Sequence, residues 1–521
     1  MDKKVWVLGV ATSFLLAAGI ARAQSVDDKI KSLEQELTQL KDQQVELKKE
    51  ATAAAAALPT FEYRPGNGLE IEAADKSWGV RFTIETYFRY EFESGRNQQG
   101  RSTAEIMGRR FRPGFFYCIN NCLWEIEATL DMDGFGTGNA KNSTNTATSS
   151  ILQRGAVNFH AENLHPWLPT VQFGMEVQNA FGNSLSRQGS SATGAQAEYD
   201  LITRNNGFNT GRAGQGVVLN WDDRSLSGIG IPGRIGKFQV GASSIGEGDD
   251  GLSSFRQGFK NFNLYGNIQP FSQIKNKWIS GLTFEAGNWF CNVDGRANAA
   301  LPVTGNAVDN GCQSSGGGFR IQDHGDGGRQ TLIQTGDLGK GWVFARGAGI
   351  VYNVGPNTLR LAYTTESAAD DGGTRAHKRS RGWLIGNDTY LWSPKGFLTG
   401  SSTTPGSILF GTHFERAAIN IDCNGSSGIP CSTTDIGGSI NQFHRNRVLL
   451  REWDLWYVIA PRMSVGTNIL WYDASNLDNR VGQAGYNLGL CDKVNGGATT
   501  NCRSGKGGDW IDVFLNWRYT F

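Results

Sequence analysis

The chain has 521 residues, 39% of them apolar, and a formal net charge of +1; its mean hydropathy is -0.37. After the N-terminal segment no run approaches the roughly 18–20 apolar residues of a membrane helix, and the balanced charge offers no basic excess for nucleic acid. Neither average excludes a membrane β-barrel, whose strands alternate apolar and polar residues, and 69 glycines with 13 prolines suit many strands joined by Gly-, Asn- and Ser-rich connections.

Residues 1–23, "MDKKVWVLGVATSFLLAAGIARA", combine a basic start at Lys3 and Lys4, a short apolar run and a small-residue end at Ala21-Arg22-Ala23. That pattern predicts a secretory signal peptide cleaved before Gln24, with a retained anchor helix as the alternative. Residues 24–50 then place Val26, Ile30, Leu33, Leu37, Leu40 and Leu47 at alternating spacings of four and three, with Gln44 at the one polar position. This is the 3.5-residue repeat of a coiled coil, with Glu36 and Lys41 at positions that pair between chains. A single amphipathic helix is the competing reading. Residues 51–76 read as a linker in which Pro59 and Pro65 stop the helix.

From Ser77 the period becomes two. In "VRFTIETYFRYEF", Val80, Phe82, Ile84, Phe88, Tyr90 and Phe92 fall on one face and Arg81, Thr83, Glu85, Arg89 and Glu91 on the other. "CLWEIEATLDMD" repeats it, with Trp124, Ile126, Ala128, Leu130 and Met132 against Glu125, Glu127, Thr129, Asp131 and Asp133. A soluble sandwich would bury the apolar face; a membrane barrel would turn it to lipid and the charged face to a watery lumen. Predicted strands of about 10–13 residues favour the barrel, as do aromatics near strand ends (Trp78, Trp124, Trp289, Trp392, Trp471).

Sixteen strands are predicted, near 77–92, 103–118, 122–132, 151–161, 169–177, 213–222, 234–245, 255–268, 277–290, 341–352, 357–366, 380–392, 408–421, 446–458, 462–473 and 509–521. The expected fold is therefore all-β, a 16-stranded antiparallel transmembrane β-barrel over 77–521 with an N-terminal coiled-coil helix, in the bacterial outer membrane and surrounded by its lipid and lipopolysaccharide. Tight turns at Asn120-Asn121, Gly355-Pro356-Asn357 and Ala460-Pro461 mark the periplasmic end, and 178–212, 291–340 and 474–508 read as outer loops. In the last strand, Ile511, Val513, Leu515, Trp517, Tyr519 and Phe521 form an unbroken apolar set. A strand ending in an aromatic residue resembles the signal read by the outer-membrane barrel assembly machinery, which makes that machinery an expected partner through Phe521.

Eight cysteines in an exported chain favour disulfides over metal binding. Proximity suggests Cys118/Cys122, Cys291/Cys312, Cys423/Cys431 and Cys491/Cys502, the first across a periplasmic turn, though eight cysteines allow 105 connectivities. "CINNC" has no histidine nearby, and "GEGDDG" at Asp249 and Asp250 lacks the ligand spacing of a calcium loop. His160, His165, His324, His377, His413 and His444 are scattered, so no enzyme, metal or cofactor is expected.

The expected pore-lining set is Arg81, Arg89, Arg110, Arg112, Arg154, Arg360, Glu85, Glu125, Glu127, Asp131, Glu176 and Arg187. Opposed stripes of charge would orient polar solutes; alternatively the same residues pair across strands and hold the wall. "VQNAFGNSLSRQGSSATGAQAEYD" is either an inward-folded eyelet lined by Ser184, Ser186, Arg187, Gln188 and Glu198 or a surface excursion. "TRAHKRSRGW" reads as a lipopolysaccharide-facing or plainly solvated basic loop, or as a basic funnel at an outer mouth.

Several stretches, in order, resemble the phosphate-selective porin O/P family: "GLEIEAADKSWGVRF", "MGRRFRPGFF" with the paired Arg109 and Arg110, "WEIEATLDMD", "VQFGMEVQNAFG", "PKGFLTG" and the closing strand. The resemblance implies trimeric sixteen-stranded barrels, each with its own pore, and a passive channel for small hydrophilic solutes or ions, with phosphate and other anions as candidates. It also implies a basic pore and an arginine-rich fifth outer loop. Here that loop holds only Arg296, Arg320 and Arg329 before Lys340, and Glu85 and Glu125 stand at expected basic positions. A structural anchor, joined to the periplasm or cell wall through residues 24–50, is the second expectation.

Overall fold

The computed structural model describes residues 26–56, 58–64, 67–94, 103–130, 152–177, 213–243, 261–293, 320–322, 331–334, 341–370, 376–394, 404–423, 442–473 and 509–521. Helix α1 spans Val26–Ala56, running past residue 50 because the alanines that follow carry the highest helix propensity. Its stripe leucines Leu33, Leu37, Leu40 and Leu47 are all exposed in the single chain. A helix is therefore present, and no second helix packs on that stripe among the described residues.

The strands are β1 (Thr60–Arg64), β2 (Gly68–Glu72), β3 (Trp78–Glu93), β4 (Thr103–Ile119), β5 (Trp124–Leu130), β6 (Leu152–His160), β7 (Thr170–Val177), β8 (Ala213–Ser225), β9 (Arg234–Ser243) and β10 (Asn261–Gln269). They continue with β11 (Leu282–Val293), β12 (Arg320–Gln322), β13 (Thr331–Gln334), β14 (Gly341–Val354), β15 (Asn357–Asp370), β16 (Ala376–Trp392), β17 (Ile408–Cys423), β18 (Gln442–Ala460), β19 (Met463–Asp473) and β20 (Asp509–Thr520). Strands β3–β11 and β14–β20 pair in sequence, each antiparallel to the next. β20 returns to β3, from Asp512 opposite Glu93 to Thr520 opposite Glu85. The result is a closed 16-stranded barrel.

Closure removes every free edge, which is what lets a sheet cross lipid. Its polarity is inverted relative to a soluble core. Phe82, Phe88, Tyr90, Phe115, Phe173, Leu264, Phe284, Leu361, Ile385, Phe414, Leu455 and Leu515 are exposed, while Arg89, Glu91, Glu127, Gln172, Asn263, Arg360, Asp388, Glu452 and Arg518 are buried. In each strand the two sets alternate, so the apolar set faces out and the polar set faces the barrel interior. A soluble sandwich would place them the other way round, and that alternative is set aside.

The hairpin of β1 and β2 occupies what reads from sequence as linker. β2 pairs with the start of β3, Leu69 opposite Phe82 through Glu72 opposite Gly79. It thus continues the edge that β20 occupies further along. Between the two, Phe521 exchanges both backbone hydrogen bonds with Ile84, at 2.7 and 3.3 Å, and Tyr63 stacks on its ring at 5.1 Å. Both hairpin strands alternate, Phe61 and Tyr63 against Thr60, Glu62 and Arg64, and Leu69 and Ile71 against Glu70 and Glu72, but at five residues each they are far shorter than a membrane-spanning strand.

Other expectations shift. β12 and β13 form a small antiparallel pair inside the stretch read as the fifth loop. Trp289 is buried and shares the inward set of Glu285, so it is no part of an outer aromatic girdle. β16 begins at Ala376 rather than near 380, so Arg379 of "TRAHKRSRGW" stands in the strand together with Arg381. The signal segment and the eyelet lie wholly or partly outside the described residues.

The cysteine pairing divides in the same way. Cys118 and Cys122 are joined, closing the β4–β5 turn as proximity suggested. That is the one disulfide among the described residues, and the expected pairs Cys291/Cys312, Cys423/Cys431 and Cys491/Cys502 are not among them. Cys291 and Cys423 belong to β11 and β17, not to loops, because the period-two pattern of each strand runs on through them. Their expected partners Cys312 and Cys431, and both Cys491 and Cys502, lie outside the described residues.

Candidate functional site in the barrel interior

Inward side chains form two hydrogen-bonded arcs. The first crosses β5 to β10 and is almost all amide. Asn263 donates to Gln239 at 3.0 Å, Gln239 to Asn220 at 2.7 Å, Asn220 to Gln172, Gln172 to Asn158 at 3.0 Å, and Asn158 to Glu125 at 2.9 Å. Every donor points the same way around the wall, and the run ends on a carboxylate, the acceptor that gains most from it. Beside it, Asn267 donates to Tyr265 at 2.9 Å and Tyr265 donates to Glu285 of β11 at 2.8 Å.

The second arc crosses β15 to β20 and reaches β3. Arg360 is ion-paired with Asp388. Asp388 also meets His413 Nε2 at 3.2 Å, and the same nitrogen lies 3.4 Å from Asp454. Asn468 donates to Asp454, and Asn516 to Asn468. Asn516 Oδ1 accepts from Tyr87 at 2.8 Å and from Arg89 Nε at 3.2 Å. Aromatic rings back the cations: Arg89 lies 4.1 Å from the Phe514 centroid and Arg518 lies 3.6 Å from that of Trp456. A desolvated guanidinium over a ring gains more than an exposed one does.

The expected pore-lining residues divide accordingly. Arg89, Glu127 and Arg360 are at most 4% exposed and are packed into the side-chain layer of the wall. Arg81, Glu85, Arg112 and Glu125 are half-buried on β3–β5. Glu85 stands directly opposite Arg112 in the ladder, and Arg81 lies 4.2 Å over the ring of Phe116. Arg110 and Arg154 fall in β4 and β6, opposite Tyr87 and Thr129, and Glu176 in β7, opposite Gly214; their side chains are outside the described set. Asp131 and Arg187 are outside the described residues.

Sequence reading did not single out Asp388, His413, Asp454, Arg518 or the amide ladder as parts of a site. One signal was present. In "GTHFE" His413 has the parity of Glu415, and in "REWDLW" Asp454 has that of Glu452. A glycine marks the place as well: a Cβ on Gly386 would meet His413 Nδ1 at 2.8 Å, so β16 leaves room for the ring. Among the described inward side chains acids predominate. Glu85, Glu91, Glu125, Glu127, Glu285, Glu366, Asp388, Glu415, Glu452, Asp454 and Asp512 face Arg81, Arg89, Arg112, Lys237, Arg360 and Arg518.

No protein-family model and no curated protein matches this chain. Solved structures similar to it include an anion-selective porin from Comamonas acidovorans, at 11% identity and a TM-score of 0.47, covering 85% of this chain and 100% of that one. The outer membrane channel DcaP of Acinetobacter baumannii is similar at 10% identity and 0.45, covering 85% and 98%. OprB of Pseudomonas putida is similar at 11% identity and 0.42, covering 85% and 94%. With likeness at this level, function has to come from the chain's own residues.

Proposed function

We propose that the protein is an outer-membrane porin, a passive channel through which small hydrophilic solutes or ions diffuse. The observation that carries this is the inverted polarity of a closed sixteen-stranded barrel, with an apolar exterior and a charged interior. Half-buried Arg81, Glu85, Arg112 and Glu125 supply the polar contacts along the path, replacing part of a permeant's hydration. Phosphate and other anions are the candidates that the family resemblance brings, but the excess of interior acids supports a bias towards cations. The reading includes a homotrimer, a coiled coil built on α1, and assembly through the strand that ends in Phe521.

Planar-bilayer recording with purified protein tests it. Step conductances are expected, and under a salt gradient the reversal potential should have the sign of cation preference. Strong anion preference would overturn the assigned bias. Absence of conductance from correctly folded protein would sink the channel.

A further inference from the structure

The outer wall is not uniform. The outward sets of β14 and β16–β18 carry six arginines: Arg346, Arg379, Arg381, Arg416, Arg447 and Arg451. Three of them share one register row, Arg346 opposite Thr365, Thr365 opposite Arg381, Arg381 opposite Ala418, and Ala418 opposite Arg447. Among the outward side chains described on β14–β18 there is no Asp or Glu. The outward sets of β3–β7 carry no Lys or Arg among those described. The basic sector is thus a local feature of one side.

Its height is informative. Arg346, Arg416 and Arg451 lie about eight or nine residues from the periplasmic ends of their strands. At a rise of roughly 3.3 Å per residue and a tilt of about 40°, that is about 20 Å along the barrel axis. Arg379, Arg381 and Arg447 are higher. An apolar belt about 25 Å tall, measured from the periplasmic ends, therefore finishes among these arginines. Below them the wall is greasy, with exposed Leu361, Tyr363, Ile385 and Phe414. Two of the guanidiniums lie over aromatic rings, Arg346 Cζ 4.9 Å from the Phe344 centroid and Arg451 Cζ 4.3 Å from that of Trp471. A guanidinium is costly at mid-bilayer and cheap at the interface, and there its fork suits phosphate.

We propose that this sector of β14–β18 is a binding site for lipopolysaccharide. The arginines hold the phosphates of its acylated disaccharide base, and the apolar wall below receives the acyl chains. The inference rests on the outer-membrane reading given above.

The test titrates full-length protein in detergent with bis-phosphorylated lipid A, following tryptophan fluorescence, since Trp383 and Trp453 stand within the sector. R346Q/R381Q/R416Q should weaken binding about tenfold or more, and each single substitution by a few-fold, which covers the case of a triple variant that does not fold. R234Q, at the periplasmic end, should bind as wild type. Monophosphoryl lipid A should bind more weakly, and phosphatidylglycerol and millimolar inorganic phosphate should compete poorly. Unchanged lipid A binding by a folded, conducting triple variant overturns the site. Full displacement by inorganic phosphate, or equal binding of phosphatidylglycerol, overturns the glycolipid assignment. Disulfide cross-linking between two copies of R381C would make the sector an interface between copies and overturn it too. Failure of the porin reading looks different: the wild type itself would not conduct, whatever it binds.

Discussion

Gly466 has no room for a side chain. A Cβ there would lie 2.3 Å from Cδ2 of Trp456, whose ring carries Arg518. G466A should push the indole off its seat and lower stability by about 1–3 kcal/mol, seen as a lower temperature for loss of the compact, unheated gel band. Asp388 is the sharper case, since it serves both Arg360 and His413 in a buried setting. D388A takes the carboxylate from both, and about 3–5 kcal/mol of destabilisation is expected, whereas D388N keeps the shape and should cost less. Equal stability of D388A and wild type would mean the second arc does not hold the wall. Outside the membrane-spanning segments, Glu162 accepts from Thr170 and meets His160 Nδ1, both at 2.8 Å. Burial alone would raise its pKa, but the hydrogen bonds from His160 and Thr170 outweigh burial and hold the carboxyl below its ordinary value. The stabilisation is complete above the unfolded pKa, near 4.3, and is lost as pH falls through the lower folded value. The melting difference between wild type and E162Q should therefore be present at pH 6 and shrink on acidification; a difference that grew instead would reverse the sign.

At the scale of elements, all sixteen barrel strands were legible in the sequence because each repeats a period of two over many residues. "VRFTIETYFRYEF" in β3 and "WIDVFLNWRY" in β20 need no tertiary information to be read. The β1–β2 hairpin was passed over: "TFEYR" and "GLEIE" both alternate, but at five residues each they fall short of a membrane span and lie in the stretch read as linker. The site was half legible. Parity put Arg81, Glu85 and Arg112 on the inward face, but could not tell which inward residues are half-buried and which, like Arg89 and Arg360, are sealed by their neighbours. Nor do Asn158, Gln172, Asn220, Gln239 and Asn263 draw notice one at a time, since their meaning lies in register between strands. That ladder is testable. Gln172 takes one bond from Asn220 and gives one to Asn158. Q172A breaks both, leaving buried polar groups to be satisfied elsewhere, at about 1–3 kcal/mol. Q172E can still accept but, when ionised, cannot donate, so its thermal stability in detergent should fall between wild type and Q172A. Identical stability for all three would show that the ladder contributes nothing to the wall.

For the whole molecule the decisive element is the seam between β20 and β3. Fifteen other pairings join strands that follow one another along the barrel, but this one brings the end of the chain back to the beginning of the barrel. If it opens, two strand edges present unpaired N–H and C=O groups, and in hydrocarbon each such group costs several kcal/mol. Proline within β20 removes a donor and clashes with extended pairing. L515P, opposite Tyr90 in the seam, should therefore prevent formation of the heat-modifiable, protease-resistant barrel and not merely lower its stability. The same substitution in the exposed hairpin, E62P, should leave the barrel and its conductance intact, because β1 pairs only with β2 and closes nothing. Gel mobility without heating and limited proteolysis read both variants side by side. If L515P still gave a protease-resistant barrel, closure through β20 would not be what holds the molecule together, and the inverted polarity on which the channel reading stands would lose its frame.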